Sequence, residues 1–306
     1  MKINKSLPVL VTGATGYIAG WVVKNLLDEG LTVHAPIRDT ANTQKRVHLD
    51  KLAENSSGKI KYFESDLMIE DTYKEAMKGC ELVIHTASPF VMDSKDPQKE
   101  VIEPALKGTQ NVLKTVNETE SVKRVVLTSS IAAIYGNSID GQSVEGGLFN
   151  ESMWNTTSTS TDGEYSYSKT VAEKEAWKIC EEQKRWDLVV INPGFVLGPS
   201  LNPNALFESK KFMLQMGNGD LKRGAPDITM GMVDVRDVSK AHVIAGFSET
   251  AKGRHILSAG THTLLETGGF IKEKFGDKYP VPTKNAPKFL IWILAPFIGV
   301  KRNFVS

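Results

Sequence analysis

Cysteine is scarce: 306 residues contain two, Cys80 and Cys180, a hundred positions apart. That spacing excludes a disulfide scaffold and offers no paired thiols for metal or redox work. An excess of one charge sign is also missing. Thirty-seven basic and 36 acidic side chains leave a net charge of +1, which provides no electrostatic footprint for nucleic acid or an anionic membrane. Long apolar runs are absent as well. The longest, "FLIWILAPFIGV" at 289–300, contains Pro296 and falls short of the about 20 residues that span a bilayer. It reads as a buried C-terminal helix broken by proline. No secretory or transit pattern is visible, because "MKINKSLPVLVTG" runs directly into a strand. The expectation is a cytoplasmic protein with reduced thiols, in which Asn-x-Ser/Thr triplets such as the one at Asn155 are chance matches.

What is present is an ordinary globular composition, 41% hydrophobic and 24% charged, without internal repeats. Short apolar runs alternate with helical periodicity. "PVLVTG" (8–13), "LTVHAPIR" (31–38), "KIKYFESD" (59–66), "ELVIHTAS" (81–88), "KRVVLTSS" (123–130) and "DLVVINPGFVLG" (187–198) read as strands. Between them, helices are predicted over 17–30, 40–55, about 70–78, roughly 96–119 and from the stretch 163–177 to about 183. Strands separated by helices imply an α/β doubly wound parallel sheet, a Rossmann fold, with its ligand crevice at the C-terminal strand ends. The expected division is a dinucleotide-binding domain over 1–195, to which 230–260 returns, and a smaller C-terminal substrate-binding region over 196–229 and 261–306. Within the second part "NALFESKKFMLQMGNG" and "MVDVRDVSKAHVIAGF" read as helices and "GRHILSAGT" as a late strand. The polar stretch 137–163 reads as a long mobile loop, a candidate cover for an active site.

"VTGATGYIAG" places Gly13, Thr15, Gly16, Tyr17 and Ile18 between the first strand and the first helix. Backbone without Cβ lets a pyrophosphate approach a helix N-terminus, so this turn is a candidate dinucleotide cradle. Small residues at Ala19 and Gly20 suggest close packing of that helix on the sheet. At the end of the second strand stands Arg38, with Lys45 and Arg46 following. A guanidinium can fork onto a 2′-phosphate, which favours NADP(H), while the adjacent Asp39 keeps NAD open.

"GEYSYSKTVAEKEAW" (163–177) holds Tyr165, Tyr167 and Lys169. Residues four apart share a helix face, so Tyr165 and Lys169 are neighbours and Tyr167 is a packing residue. A tyrosine beside an ammonium can hand a proton to a carbonyl oxygen as hydride reaches the carbon. Ser130 or Ser129, at the fifth strand's end, could hydrogen-bond the same oxygen.

This order of motifs resembles the short-chain dehydrogenase/reductase superfamily in its extended form, over about residues 7–247. Within it, "FESDL", "VIHTASPF", "PALKGTQNVL", "RVVLTSS", "YSYSKTVAEKEAW", "INPGFVLGPSL" and "MVDVRDVSKAH" are similar to blocks of the dihydroflavonol reductase, cinnamoyl-CoA reductase and aldehyde/ketone reductase group. The resemblance implies Tyr165 as proton donor, Lys169 as its activator and Ser130 as the carbonyl-oxygen partner, with Ser129 auxiliary. It implies Arg38 and Lys45 at the 2′-phosphate, and Asp66 and Leu67 at the adenine. Thr86, Ala87 and Ser88 would form a cofactor wall, and Pro193, Gly194 and Val196 would meet the nicotinamide. Phe90, Ile131, Phe195 and Phe207 are candidate substrate walls, no metal is required, and the partner is a small carbonyl compound acted on by a monomer or homodimer. The Asn-Trp-Tyr-Cys-Tyr signature of cinnamoyl-CoA reductases is absent, which argues against coenzyme A thioesters. Two other outcomes share the scaffold: an NAD-dependent sugar-nucleotide epimerase or dehydratase, and a non-catalytic NADP-binding sensor.

Overall fold

A computed structural model describes residues 1–88, 94–205, 207–287 and Phe289. Phe90 and most of the apolar stretch 289–300 lie outside the described residues. Chain order begins β1 (Val9–Thr12), α1 (Tyr17–Asp28), β2 (Thr32–Ile37), α2 (Val47–Glu54), β3 (Lys59–Glu64), α3 (Lys74–Met77) and β4 (Leu82–His85). It continues α4 (Glu103–Glu118), β5 (Arg124–Thr128), α5 (Glu164–Glu181), β6 (Asp187–Pro193), β7 (Phe195–Leu197) and α6 (Glu208–Asn218). The last elements are β8 (Thr229–Asp234), α7 (Val235–Phe247), β9 (Gly253–Leu257), β10 (Gly260–Thr263) and α8 (Leu264–Phe275).

The chain divides into two units. The first comprises residues 1–194, 198–205 and 234–257. Its sheet has the order β3-β2-β1-β4-β5-β6-β9, and every neighbouring pair is parallel. Successive side chains of a strand point to opposite faces, and a parallel sheet buries both. In β1, Val9 and Val11 enter one buried cluster and Leu10 the other. β4 splits in the same way, with Leu82 and Ile84 against Val83, as does β6, with Val189 and Ile191 against Leu188 and Val190. The near-continuous apolar runs in the sequence follow from this double burial.

Strand order reverses between β1 and β4, because the chain builds outward through β2 and β3 before returning to the other side of β1. The crossovers leave a crevice at the C-terminal ends of these two strands. Among the described residues, no helix is long and apolar enough to cross a membrane.

The second unit comprises residues 195–197, 207–233 and 258–287. It holds a three-stranded sheet ordered β10-β8-β7, in which β10 runs antiparallel to β8 with Gly260 opposite Met232. Phe195 packs edge-on against Phe212 of α6, with ring centroids 5.1 Å apart.

Three local expectations are revised. Residues read as the start of one helix from 232 belong to β8, and α7 starts only at Val235. The cause is Asp234, whose carboxylate accepts the Arg236 amide at 2.8 Å and caps the helix there. The helix read over 40–55 is two pieces, a 3-10 turn over Thr43–Lys45 and then α2, after a turn in which Asp39 accepts the amides of Ala41 and Asn42. The stretch 137–163 is tied down by side chains. Buried Asn155 donates to the Ala132 carbonyl and accepts from the amides of Thr157 and Ser158. Asp140 accepts from the amides of Gly136 and Asn137 and from the Thr157 hydroxyl.

Gly20 also differs from the close-packing expectation. A Cβ there would meet nothing nearer than Leu201 at 3.8 Å, an ordinary contact. Its helical position inside α1 therefore carries a glycine's entropy cost without a steric reason. Gly20→Ala is expected to stabilise the protein by about 0.5–1 kcal/mol, read as a higher urea midpoint with an unchanged slope.

Candidate active site

The crevice is lined first by the turn after β1. Gly13 has a φ of +66°, and a Cβ added to it would lie 3.1 Å from the Ala87 Cα. Glycine is required twice here, by the left-handed backbone and by the approach of the β4 end. Gly16 donates its amide to the Gly13 carbonyl at 2.8 Å and precedes α1. No side chain caps this N-terminus, and the first turn contains no acidic residue. A helix start left in that state suits an anion. Tyr17 and Ile18 open α1, and Thr15 is partly exposed beside them. The Tyr17 hydroxyl donates to the Gly198 carbonyl at 2.9 Å and holds the turn's outer side.

Thr12 joins the two strand ends. Its hydroxyl oxygen accepts the amides of Thr86 and Ala87 at 3.1 and 3.0 Å, and it lies 2.8 Å from His85 Nδ1. With both amides donating, the hydroxyl hydrogen goes to Nδ1, so the ring carries its hydrogen on Nε2. Burial pushes the His85 pKa down to about 3, which keeps it neutral. The Thr86 hydroxyl donates in turn to the Thr12 carbonyl at 2.5 Å.

At the β2 end, Arg38 and Lys45 are exposed. Asp39 is engaged by its own turn, as described above. Arg46 is engaged too: its guanidinium stacks on Tyr62 at 4.5 Å, donates to the Thr40 carbonyl at 3.0 Å and lies 3.4 Å from Asp50. At the β3 end, the Asp66 carboxylate accepts the Met68 amide, and the Leu67 carbonyl accepts from Asn111.

The proton-transfer candidates meet beyond the β5 end. Tyr165 stands in the first turn of α5, where the Ser130 side chain acts on its hydroxyl. Lys169 follows one turn later, its Nζ 5.8 Å from the Tyr165 ring centre. Burial raises the Tyr165 pKa to about 12, against a smaller opposing effect of the Ser130 hydrogen bond. Burial also lowers Lys169 to about 8, with Glu173 pulling the other way. Ser130 accepts the Ala132 amide at 3.1 Å, which fixes its side chain at the start of the turn 131–133. Ser129 points elsewhere and donates to Glu173 at 2.5 Å. The two neighbouring serines thus have different partners.

A cavity of about 20 Å³, room for about one water, lies behind Lys169 and is lined in part by His85, Ser88, Thr128, Ser129 and Glu173. Pro193 ends β6, and the Gly194 amide donates to the Leu257 carbonyl at 2.9 Å. Ile131 opens the turn after Ser130. Val196, Phe195 and Phe207 belong to the second unit.

Five residues of this neighbourhood escaped the sequence reading: Thr12, His85, Glu173, Asn192 and Arg254. Two had a signal. Glu173 continues the four-residue spacing of Tyr165 and Lys169, and Asn192 is a polar residue in an apolar strand. Arg254 had none, since a basic residue on a late strand is ordinarily exposed.

Comparison with known proteins adds an independent line. The model of the NAD dependent epimerase/dehydratase family matches residues 9–257. The chain is 42% identical over 252 residues to cinnamoyl-CoA reductase CAD2 of Medicago truncatula, covering 81% of this chain and 75% of that one. It is 36% identical over 278 residues to tetraketide alpha-pyrone reductase 1 of Arabidopsis thaliana, covering 90% and 83%. Among solved structures, Gre2 in complex with NADPH from Candida albicans matches with a TM-score of 0.78 and 32% identity, covering 92% of this chain and 86% of that one.

Proposed function

The chain belongs to the NAD dependent epimerase/dehydratase family, in the extended short-chain dehydrogenase/reductase branch, and from that premise we propose that it is an NADPH-dependent reductase of small aldehydes or ketones. The observation that carries the reading is Tyr165 with Lys169 one helical turn later, its Nζ 5.8 Å from the Tyr165 ring centre, beyond the strand end at which the Ser130 side chain is fixed. NADPH, when bound, supplies the hydride that reaches the carbonyl carbon.

The residues present fit that cofactor. Gly13 and Gly16 keep side chains away from an uncapped helix start, where a pyrophosphate would sit, and Arg38 and Lys45 would take the 2′-phosphate. Asp66 and Leu67 would contact the adenine, and Thr86, Ala87 and Ser88 would form the wall opposite Gly13. Pro193 and Gly194 would face the carboxamide. Lys169 would also donate to the ribose.

Tyr165 then acts as the proton donor. With its pKa raised to about 12 it is protonated throughout the physiological range, the correct form for reduction. The substrate's alkoxide, comparable in basicity to hydroxide (water pKa about 15.7), is a stronger base than tyrosinate, so transfer runs downhill. Lys169 lowers the cost of the tyrosinate left behind, and Ser130 donates to the same oxygen.

The relative at 42% identity is a cinnamoyl-CoA reductase. This chain carries "EYSYSK" where those enzymes have their signature, which supports free carbonyl compounds over thioesters. The test is NADPH oxidation with an aromatic ketone, methylglyoxal, a dihydroflavonol and cinnamoyl-CoA. Turnover of the free carbonyls is expected; turnover of cinnamoyl-CoA alone, or tightly held NAD with no NADPH consumption, would overturn the reading.

A pH dependence follows from Lys169. Its ammonium is present below about 8 and is lost as pH rises through that value. Carbonyl reduction is expected to be flat in kcat/KM below this point and to fall by up to about tenfold per pH unit above it, measured in constant-ionic-strength buffers.

A further inference from the structure

We propose that Glu173 is a positioning residue of the same reaction, holding Ser130 in place and Lys169 in its charged form, with Arg254 as its counter-ion. The proposal rests on the reductase reading above.

Tyr165, Lys169 and Glu173 follow one another at four-residue intervals on α5 and so share a face. The Glu173 side chain is 0% exposed and the Arg254 side chain 7%. Arg254 Nε donates to Glu173 Oε1 at 2.5 Å, and Trp177 Nε1 donates to the same oxygen at 3.3 Å. The other oxygen, Oε2, accepts from the Ser129 hydroxyl at 2.5 Å and from Asn192 Nδ2 at 2.8 Å. The same Asn192 nitrogen donates to the Ser130 carbonyl at 3.1 Å. One carboxylate therefore gathers the ends of β5 and β6 and a residue of β9, and both Ser129 and Ser130 depend on it.

Arg254 extends the network. It donates to the carbonyls of Glu151, Met153 and Ala133 and stacks on Trp154 at 3.9 Å. Those contacts fix the stretch before α5 and the turn after Ser130. A buried ion pair is weak evidence for stability, because apolar residues of similar volume commonly serve as well. Donors directed at the Ser130 carbonyl and at the Ala133 carbonyl in the following turn point to a positioning role instead.

Charge gives the network its second effect. The groups facing Lys169 are Tyr165 and Glu173 from its own helix, His85 from β4 and, behind Glu173, Arg254 from β9. The cavity beside Lys169 is otherwise lined by Ala87 and Ser88 after β4, Thr109 of α4, Leu127, Thr128 and Ser129 of the β5 end, and Ala172. Tyr165 and His85 are neutral, as shown above. Among the described residues of this lining, Glu173 is the one anion, and it opposes the loss of the Lys169 proton that burial favours.

The test measures the Lys169 ionisation directly, by the ¹³Cε shift of labelled lysine in the apo protein, alongside the pH profile of kcat/KM. In Glu173→Gln, both the Lys169 titration and the alkaline limb are expected to move down by about one pH unit, with a tenfold or greater fall in kcat. Arg254→Met leaves the carboxylate uncompensated and is expected to move both upward. Arg254→Lys keeps the charge and is expected to leave both at the wild-type position. If Glu173→Gln does not fold, the contrast between Arg254→Met and Arg254→Lys decides. Titrations and limbs that stay at the wild-type value in both Glu173→Gln and Arg254→Met, with only kcat lowered, would overturn the proposal. Should the wild-type protein reduce no carbonyl with NADPH, the reductase reading fails on its own, and the titration still judges the charge claim.

Discussion

Tyr165→Phe is expected to lower kcat for carbonyl reduction by about 10²–10⁴-fold, the usual worth of a positioned general acid, while NADPH affinity changes by less than about threefold. The substitution removes one oxygen and keeps the ring. Lys169 stays above that ring, and Ser130 keeps its bond from the Ala132 amide, so the surrounding geometry is preserved. What disappears is the phenolic proton that stands one helical turn before Lys169. Hydride arrival would then leave an alkoxide to be protonated by Ser130 or water, neither activated by Lys169. Cofactor fluorescence titration measures binding, and steady-state NADPH oxidation measures turnover. Full turnover in this variant would remove Tyr165 from the mechanism and, with it, the main support for the reductase reading.

The fold was legible where burial is symmetrical. Strands such as β4 and β6 serve two buried layers, so they appear as short apolar runs that no exposed face interrupts. β8 was hidden because its last residues after Gly231, "MVD", run without a further glycine or proline into the apolar periodicity of α7, and the Asp234 cap separates them. Within the site, Tyr165 and Lys169 could be read because a helix fixes their relation locally. The residues alone left Ser129 and Ser130 open and the family resemblance favoured Ser130; that Ser129 turns away depends on where Glu173 projects from another element. Arg254 was illegible for the same reason: its three carbonyl partners come from residues 133, 151 and 153, far away in sequence. Local chemistry was visible, and the long-range contacts that orient it were not.

The cofactor preference gives the second large effect. In Arg38→Ala/Lys45→Ala, the ratio of kcat/KM with NADPH to that with NADH is expected to fall by about 10²-fold. Charge-assisted hydrogen bonds contribute about 1.5–3 kcal/mol each, and solvent exposure at this strand end reduces two of them to about 2–3 kcal/mol together, close to a factor of 10². The structure narrows the choice of cations. Arg46 is engaged by Tyr62, Asp50 and the Thr40 carbonyl, and Asp39 accepts the amides of Ala41 and Asn42 through Oδ1. Arg38 and Lys45 are the exposed cations left at the end of β2. Because NADH has no 2′-phosphate, its kcat/KM is expected to change little, so the ratio should move through NADPH alone. An unchanged ratio would take the 2′-phosphate away from these two residues. A matching fall with NADH would mean instead that they hold a part common to both dinucleotides, such as the adenosine ribose.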